Sequence, residues 1–329
     1  MLKLFEKNTV FQVAFIIVAT ALLWMKALAD PQPMVAASRF APLYDLLCSL
    51  HLSPFFSVCL AMLLVVLAGF FFNLMLTQAG LASQNSLLPT LLFITAASAT
   101  TSSLSPVLLA SLIAIAVVRL LMLHSTLLTV SADKIFGAAA LIGIASMVYL
   151  PSLTLIVAYL LIAINYRLYS WRDWMVFLLG ILAPYLFLWS ILLFTDGLLE
   201  SFTDIADDFN SISLSVGAIE PLQAVANAFL LVAFAISLFI VWRHLGEKTV
   251  VWQKNATTIM LVTLAALAML PLGQVFPVNM QFLAIPFTFC TTQRLTLRPR
   301  NNHQGKRSTW RSHLYDLLLL LIIAAAILC

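Results

Sequence analysis

Apolar runs of about 15 to 23 residues, parted by short polar breaks, recur along the whole chain. A hydrocarbon core about 30 Å thick takes about 20 helical residues, fewer where a helix is broken or enclosed by protein. The runs therefore predict membrane spans at roughly 10–29, 55–77, 88–103, 106–123, 135–150, 151–166, 174–194, 222–242, 256–271, 276–291 and 312–328. That makes about eleven transmembrane helices in an all-α polytopic membrane bundle, a single integral membrane domain over residues 1–329. Outer loops at 30–54 and 195–221 and a basic inner linker at 292–311 join the spans.

Three stretches repeat one plan: a short apolar run, a Pro or polar turn, then an apolar run ending in Arg. They are Leu88–Arg119 around Ser105-Pro106, Ile135–Arg167 around Pro151, and Ala256–Arg294 around Pro271 and Pro277. Proline ends helices and is tolerated in their first turn, so each stretch predicts a helical hairpin turning at the outer surface. The runs of the first two are short, so these helices must tilt or sit among longer neighbours. Small residues favour the second arrangement. Thr95–Ser103 and Gly137–Ser146 offer faces on which helices pack closely. Asn73, near the inner end of the second span, is expected to hydrogen-bond between helices.

Charge then sets the orientation. Hydrophobic residues make up 63% of the chain and charged ones 9%, against about 25% charged in ordinary soluble domains. With the N-terminus placed inside, fourteen of the seventeen Lys and Arg residues fall in inward-facing segments. Arg39 lies in an outer loop, Lys26 at the outer end of the first span, and Arg119 within a span about one turn from its inner end. Short Lys- and Arg-rich loops stay cytoplasmic during insertion. The sorting thus predicts a membrane protein with its N-terminus on the cytoplasmic side and its C-terminus outside. The net charge of +4 reflects inner loops facing an anionic leaflet, with no basic patch for nucleic acid. Residues 1–29 resemble a signal peptide, with Ala27-Leu28-Ala29 as a cleavage site, but Lys26 interrupts the pattern and retention as a span is expected. Cys48, Cys59, Cys290 and Cys329 make no disulfide or metal pattern.

Candidate chemistry gathers outside. Eight carboxylates (Asp30, Asp45, Asp196, Glu200, Asp204, Asp207, Asp208 and Glu220) occupy the outer segments against Arg39 as the single loop base. Wound at 100° per residue, Thr195–Asn210 places Asp196, Glu200, Asp204, Asp207 and Asp208 within about 120° of arc. Leu198, Phe202, Ile205 and Phe209 take the opposite face, and Thr195 suits the N-cap. This predicts an amphipathic helix on the outer surface, its acidic stripe turned to water or a cavity. Asp196, Glu200, Asp204 and Asp208 are the candidate ligands for a divalent metal, Mg or Mn. In the first outer loop, Pro42–His51 predicts a short helix with Asp45 near its start, where a carboxylate suits the helix dipole. Asp45 is the candidate general base, with Asp30 as its competitor.

The stretch KIFGAAALIGIASMVYLPSLTLIVAYLLIAINYRLYSWRDWMVFLLGILAPYLFLWS at 134–190, with LLPTLLF at 87–93 and SLSPVLLASL at 103–112, resembles a family of multi-spanning bacterial inner-membrane proteins. It is also similar to the GT-C glycosyltransferases, integral enzymes that take sugars from polyprenyl-phosphate carriers. That resemblance implies a catalytic carboxylate in the first outer loop, here Asp45 or Asp30. It also implies lipid-phosphate and substrate contacts at Arg39 and Tyr44. The Asp-Glu pair followed by Tyr that is common in such enzymes is replaced here by Tyr44-Asp45. Three function classes follow: a GT-C-like transferase of a lipid-linked sugar, a non-catalytic subunit assembling with other envelope membrane proteins, and a transporter of a lipid or small solute. The near absence of ionisable residues at mid-membrane counts against ion-coupled transport.

Overall fold

The computed structural model describes residues 9–34, 40–83, 86–122, 130–166, 170–194, 197–210, 221–269, 280–296, 319–324 and 326. Among them the chain is helical, without strands. We number the helices in chain order: α1 (Thr9–Leu23), α2 (Met25–Ala29), α3 (Pro42–Cys48), α4 (Pro54–Gln78), α5 (Leu88–Ser98), α6 (Pro106–Leu121) and α7 (Ala132–Val148) come first. Then follow α8 (Leu155–Tyr166), α9 (Trp171–Phe194), α10 (Leu198–Asn210), α11 (Pro221–His244), α12 (Val250–Met269) and α13 (Ala284–Thr296). Short 3₁₀ turns at Leu150–Thr154 and Met280–Leu283 lead into α8 and α13.

Among the described residues, four helices are long and apolar enough to cross a membrane: Pro54–Gln78, Trp171–Phe194, Asn227–Glu247 and Val250–Met269. Shorter apolar helices stand at Val10–Leu23, Leu88–Ser98, Pro106–Leu121 and Leu150–Tyr166. The structure thus supports an all-helical, membrane-embedded protein and does not confirm a count of eleven spans. The expected span at 312–328 and the Pro271–Pro277 turn fall largely or wholly outside the described residues. Helix α9 shows why a bilayer suits this surface. It buries Phe177 and Gly180 and leaves Leu178, Leu182, Phe187, Leu193 and Phe194 exposed, a face that water would penalise.

Two of the expected hairpins are present in outline. Ser105 caps α6, its hydroxyl accepting from Leu108 N at 3.2 Å, and Pro106 takes the first turn. Pro151 sits in the 3₁₀ turn between α7 and α8. The short helix α5 is enclosed by protein, with every residue from Leu88 to Ala97 buried, so its length need not match a bilayer. Helix α13 is likewise buried from Ala284 to Gln293. Its threonines satisfy their hydroxyls on the backbone: Thr288, Thr291 and Thr292 donate to carbonyls one turn back at 2.6–2.7 Å.

The small residues of α7 do what their pattern predicts. A Cβ added at Gly180 would lie 2.6 Å from Ala139 Cβ and 2.8 Å from Phe136 O. One added at Gly143 would lie 2.8 Å from Ile181 O. Positions 136–143 therefore meet 180–184 in ascending order, and α7 and α9 run parallel with their backbones in near contact. Tyr159 of α8 stacks on Phe177 of α9, rings 3.7 Å apart. Asn73 is buried as expected, but its Oδ1 has no hydrogen-bond partner, so it does not join helices through that atom. Arg119 reaches Gln78 at the end of α4, its Nη2 donating to Oε1 at 2.6 Å, as expected of a base close to its helix end.

Candidate functional site

The carboxylates of α3 and α10 share one end of the bundle, called here the acidic end. Pro42 opens α3 in a first-turn position where its missing N–H costs nothing. Tyr44 then turns inward. It is fully buried, packs with Ala41 and Val148, and its hydroxyl donates to Leu104 O at 3.1 Å. Burial pushes the phenol well above its ordinary pKa, with Cys48 and Asp45 adding to the rise, so Tyr44 is a neutral donor. This pin fixes the rotation of α3 and leaves Asp45 on its exposed side.

Helix α10 supplies the second wall. Ser201, Asp204, Ile205 and Asp208 recur at helical spacing along its inward side; Ser201 and Asp208 are buried, the other two half-buried. Of the acids expected to face water or a cavity, Asp208 is 8% exposed. Its Oδ2 accepts from Phe40 N at 2.8 Å, a charge-assisted bond that compensates burial. Asp207 keeps the expected exposure. Phe202 and Leu199 remain exposed, the Phe202 ring packing tilted against Trp189 with centroids 4.9 Å apart.

Asp45 and Asp204 are thus brought within electrostatic reach from two segments far apart in the chain. Asp45 is raised above the ordinary carboxylate range, first by partial desolvation and then by the charge of Asp204. Two acids that share a site resist ionising together, which raises the proton affinity of one of them. Cys48 is raised by burial and by Asp45.

The other candidates lie elsewhere or outside view. Asp30 is exposed at the end of α2, its Oδ2 accepting from Gln32 Nε2 at 3.1 Å. Arg39 and Asp196 lie outside the described residues, as does the side chain of Glu200. Among the described residues no three His, Cys, Asp or Glu side chains converge to hold a metal.

Below α10 the structure holds a feature that no motif signalled. A groove of about 530 Å³ runs along α9, lined by Leu150, Leu153, Leu179, Leu182, Tyr185, Trp189 and Ile205 among others, and almost wholly apolar. Tyr185 links it to the carboxylates: its ring stacks on Phe40 at 6.4 Å and 6°, and its hydroxyl pairs with Ser146 at 2.6 Å. The aromatic run Tyr185…Trp189 at i,i+4 was the available signal, but in a membrane helix it reads equally as an interfacial anchor. In comparisons with protein-family models, curated proteins and solved structures, nothing matches this chain.

Proposed function

We propose that this is an integral membrane transferase acting at the periplasmic face of a bacterial inner membrane, with Asp45 as general base and a lipid-borne substrate. The observation that supports it is the meeting of Asp45 with Asp204, each carried by a separate outer segment, beside an apolar groove. Asp45 takes the proton of an acceptor hydroxyl as that oxygen bonds to the transferred group, and the bond to the lipid-side oxygen breaks, the electron pair leaving with that oxygen. Asp204 keeps Asp45 basic. Asp208 holds the 40–45 segment in place through Phe40, a duty distinct from the metal ligation expected of it. In the GT-C-like form of this reading the transferred group is a sugar and the leaving oxygen belongs to a polyprenyl phosphate, with Arg39 as the cation for that phosphate.

The test is an envelope-glycan profile of cells carrying Asp45→Asn in place of the wild-type chain. General-base removal typically costs 10²- to 10⁴-fold in rate, so the glycan should vanish while the protein accumulates normally in the membrane. An unchanged profile removes the base from the proposal. Charge reversal at Asp204 and Asp207 with loss of a co-purifying envelope protein, and an intact glycan, would support the subunit reading instead. Cysteine labelling of 297–310 from the periplasmic side would overturn the orientation.

A further inference from the structure

Three buried polar atoms on the elements that frame the outer end of the groove have no hydrogen-bond partner: Ser152 Oγ, Trp189 Nε1 and Ser201 Oγ. Ser152 lies in the Leu150–Thr154 turn, whose Leu150 and Leu153 line the groove. Trp189 lines it directly, and Ser201 precedes Ile205 by one turn on α10. A buried unsatisfied donor costs about 1–3 kcal/mol, and an acceptor brought to any of the three would recover it. All three can donate, and none is charged. Asp204 and Asp208 share the inward side of α10 with Ser201, and Asp45 feels the charge of Asp204; these acids favour a cation and repel a bare anion.

The groove gives the rest of the ligand. From Met175 to Trp189 it follows α9 for about 21 Å at 1.5 Å per residue, a large part of the depth of a hydrocarbon core. α9 is one of four helices among the described residues long and apolar enough to cross a membrane, so the groove runs where a bilayer would lie. We propose that the groove is a binding site for a zwitterionic phospholipid with an ammonium headgroup. One acyl chain lies along α9, ester or phosphate oxygens accept from Ser152, Trp189 and Ser201, and the ammonium faces Asp45 and Asp204. Phosphatidylethanolamine has this chemistry. The site stands on the groove, the unpartnered donors and the acidic rim, and holds whether or not Asp45 serves as a base.

The test uses the full chain purified in detergent, stripped of lipid, and offered phosphatidylethanolamine or phosphatidylglycerol of matched chains, with retained lipid counted by native mass spectrometry. The wild type should retain the ethanolamine lipid about fivefold over the glycerol lipid, the scale of one half-exposed ion pair. Asp45→Asn combined with Asp204→Asn should erase the preference and keep chain binding. Leu182→Trp fills the groove from a position 41% exposed, where folding tolerates bulk, and should lower retention of both lipids about tenfold, as losing two buried methylenes does. Met175→Trp, at the other end and 52% exposed, repeats that arm if Leu182→Trp unfolds. Ser152→Ala should weaken retention of both lipids while leaving the lipid-free melting temperature unchanged or higher, since it removes an unsatisfied group.

Equal retention of the two lipids by the wild type overturns the headgroup assignment. Wild-type retention in Leu182→Trp and Met175→Trp overturns the site. A second chain in the spectrum, with no lipid retained, shows that a protein covers the groove and overturns it also. Loss of the glycan in Asp45→Asn beside equal lipid retention would sink this inference and leave the transferase standing; selective retention with an unchanged glycan would do the reverse.

Discussion

The seam between α7 and α9 and the roof made by α3 and α10 both join helices, and they do so by opposite means. In the seam, Gly143 and Gly180 let backbones approach until a single methyl would collide with Ile181 O or Phe136 O. Contact there is dispersion between close-packed surfaces, with many partners for each atom. In the roof, α10 rests on Trp189 through the tilted ring of Phe202 and is tied to the 40–45 segment by the Asp208–Phe40 bond. Ser201 Oγ on α10 and Nε1 of Trp189, against which Phe202 packs, have no hydrogen-bond partner, whereas the glycines of the seam carry no side chain to leave unpaired. A fold concentrates its stability where atoms meet many neighbours and keeps its reactive or ligand-binding groups where few contacts hold them. The seam reads as scaffold and the roof as site.

The sharpest way to break this contrast is a methyl in the seam. Gly180→Ala places a Cβ 2.6 Å from Ala139 Cβ and 2.8 Å from a backbone oxygen, and neither can yield without moving a helix. Overpacking of this kind costs about 1–3 kcal/mol and sometimes more. We expect a loss near the top of that range, read as a lower melting temperature and a smaller folded yield in detergent. Gly246→Ala, with nothing within 4 Å of its added Cβ, should change little. Equal effects at the two glycines would mean that the seam is not the scaffold.

Removing the Asp208 tie should act locally. Asp208→Ala leaves Phe40 N without its acceptor, and hydrogen bonds to charged groups are worth about 1.5–3 kcal/mol. The cost should appear as faster amide exchange across Leu198–Asn210 and at Phe40, with the melting temperature moving less than for Gly180→Ala. A global loss as large as that of the seam variant would show that the roof is part of the scaffold.

The seam was legible in the chain and the roof only half so. Glycines and alanines at 137–146 announce close packing whatever their partner, because small size is a property of the residue itself. The amphipathic rotation of 198–210 likewise follows from spacing. What spacing could not show was that Asp208 turns inward, because its partner is the backbone N–H of Phe40, 168 positions away, and every residue carries such a donor. The groove escaped for the same reason. Its lining comes from three separate elements, each apolar for reasons that membrane residence already explains. Asp45 was singled out as a carboxylate in the first outer loop, and its partnership with Asp204 emerged only when the two segments were placed together.

That partnership carries the smallest expected effect and the most direct reading of the roof. Asp45 holds its proton to higher pH in the folded chain than in the unfolded one, through partial desolvation and then the charge of Asp204. Between the ordinary carboxylate value and the raised one, the folded state binds more protons, so stability falls as pH rises through that window. The cost is complete above the raised value and absent below the ordinary one. Asp204→Asn removes the second cause, lowers the Asp45 value toward its ordinary range and leaves the desolvation. The variant should therefore match the wild type in acid and gain slightly on it as pH approaches neutrality, by less than the loss in Asp208→Ala. If Asp45 is the base, the acid limb of the pH–rate profile should shift in the same direction, to lower pH, with the alkaline limb unmoved. A stability difference that is constant with pH would separate the two carboxylates, and with them the coupling of α3 to α10 at this point.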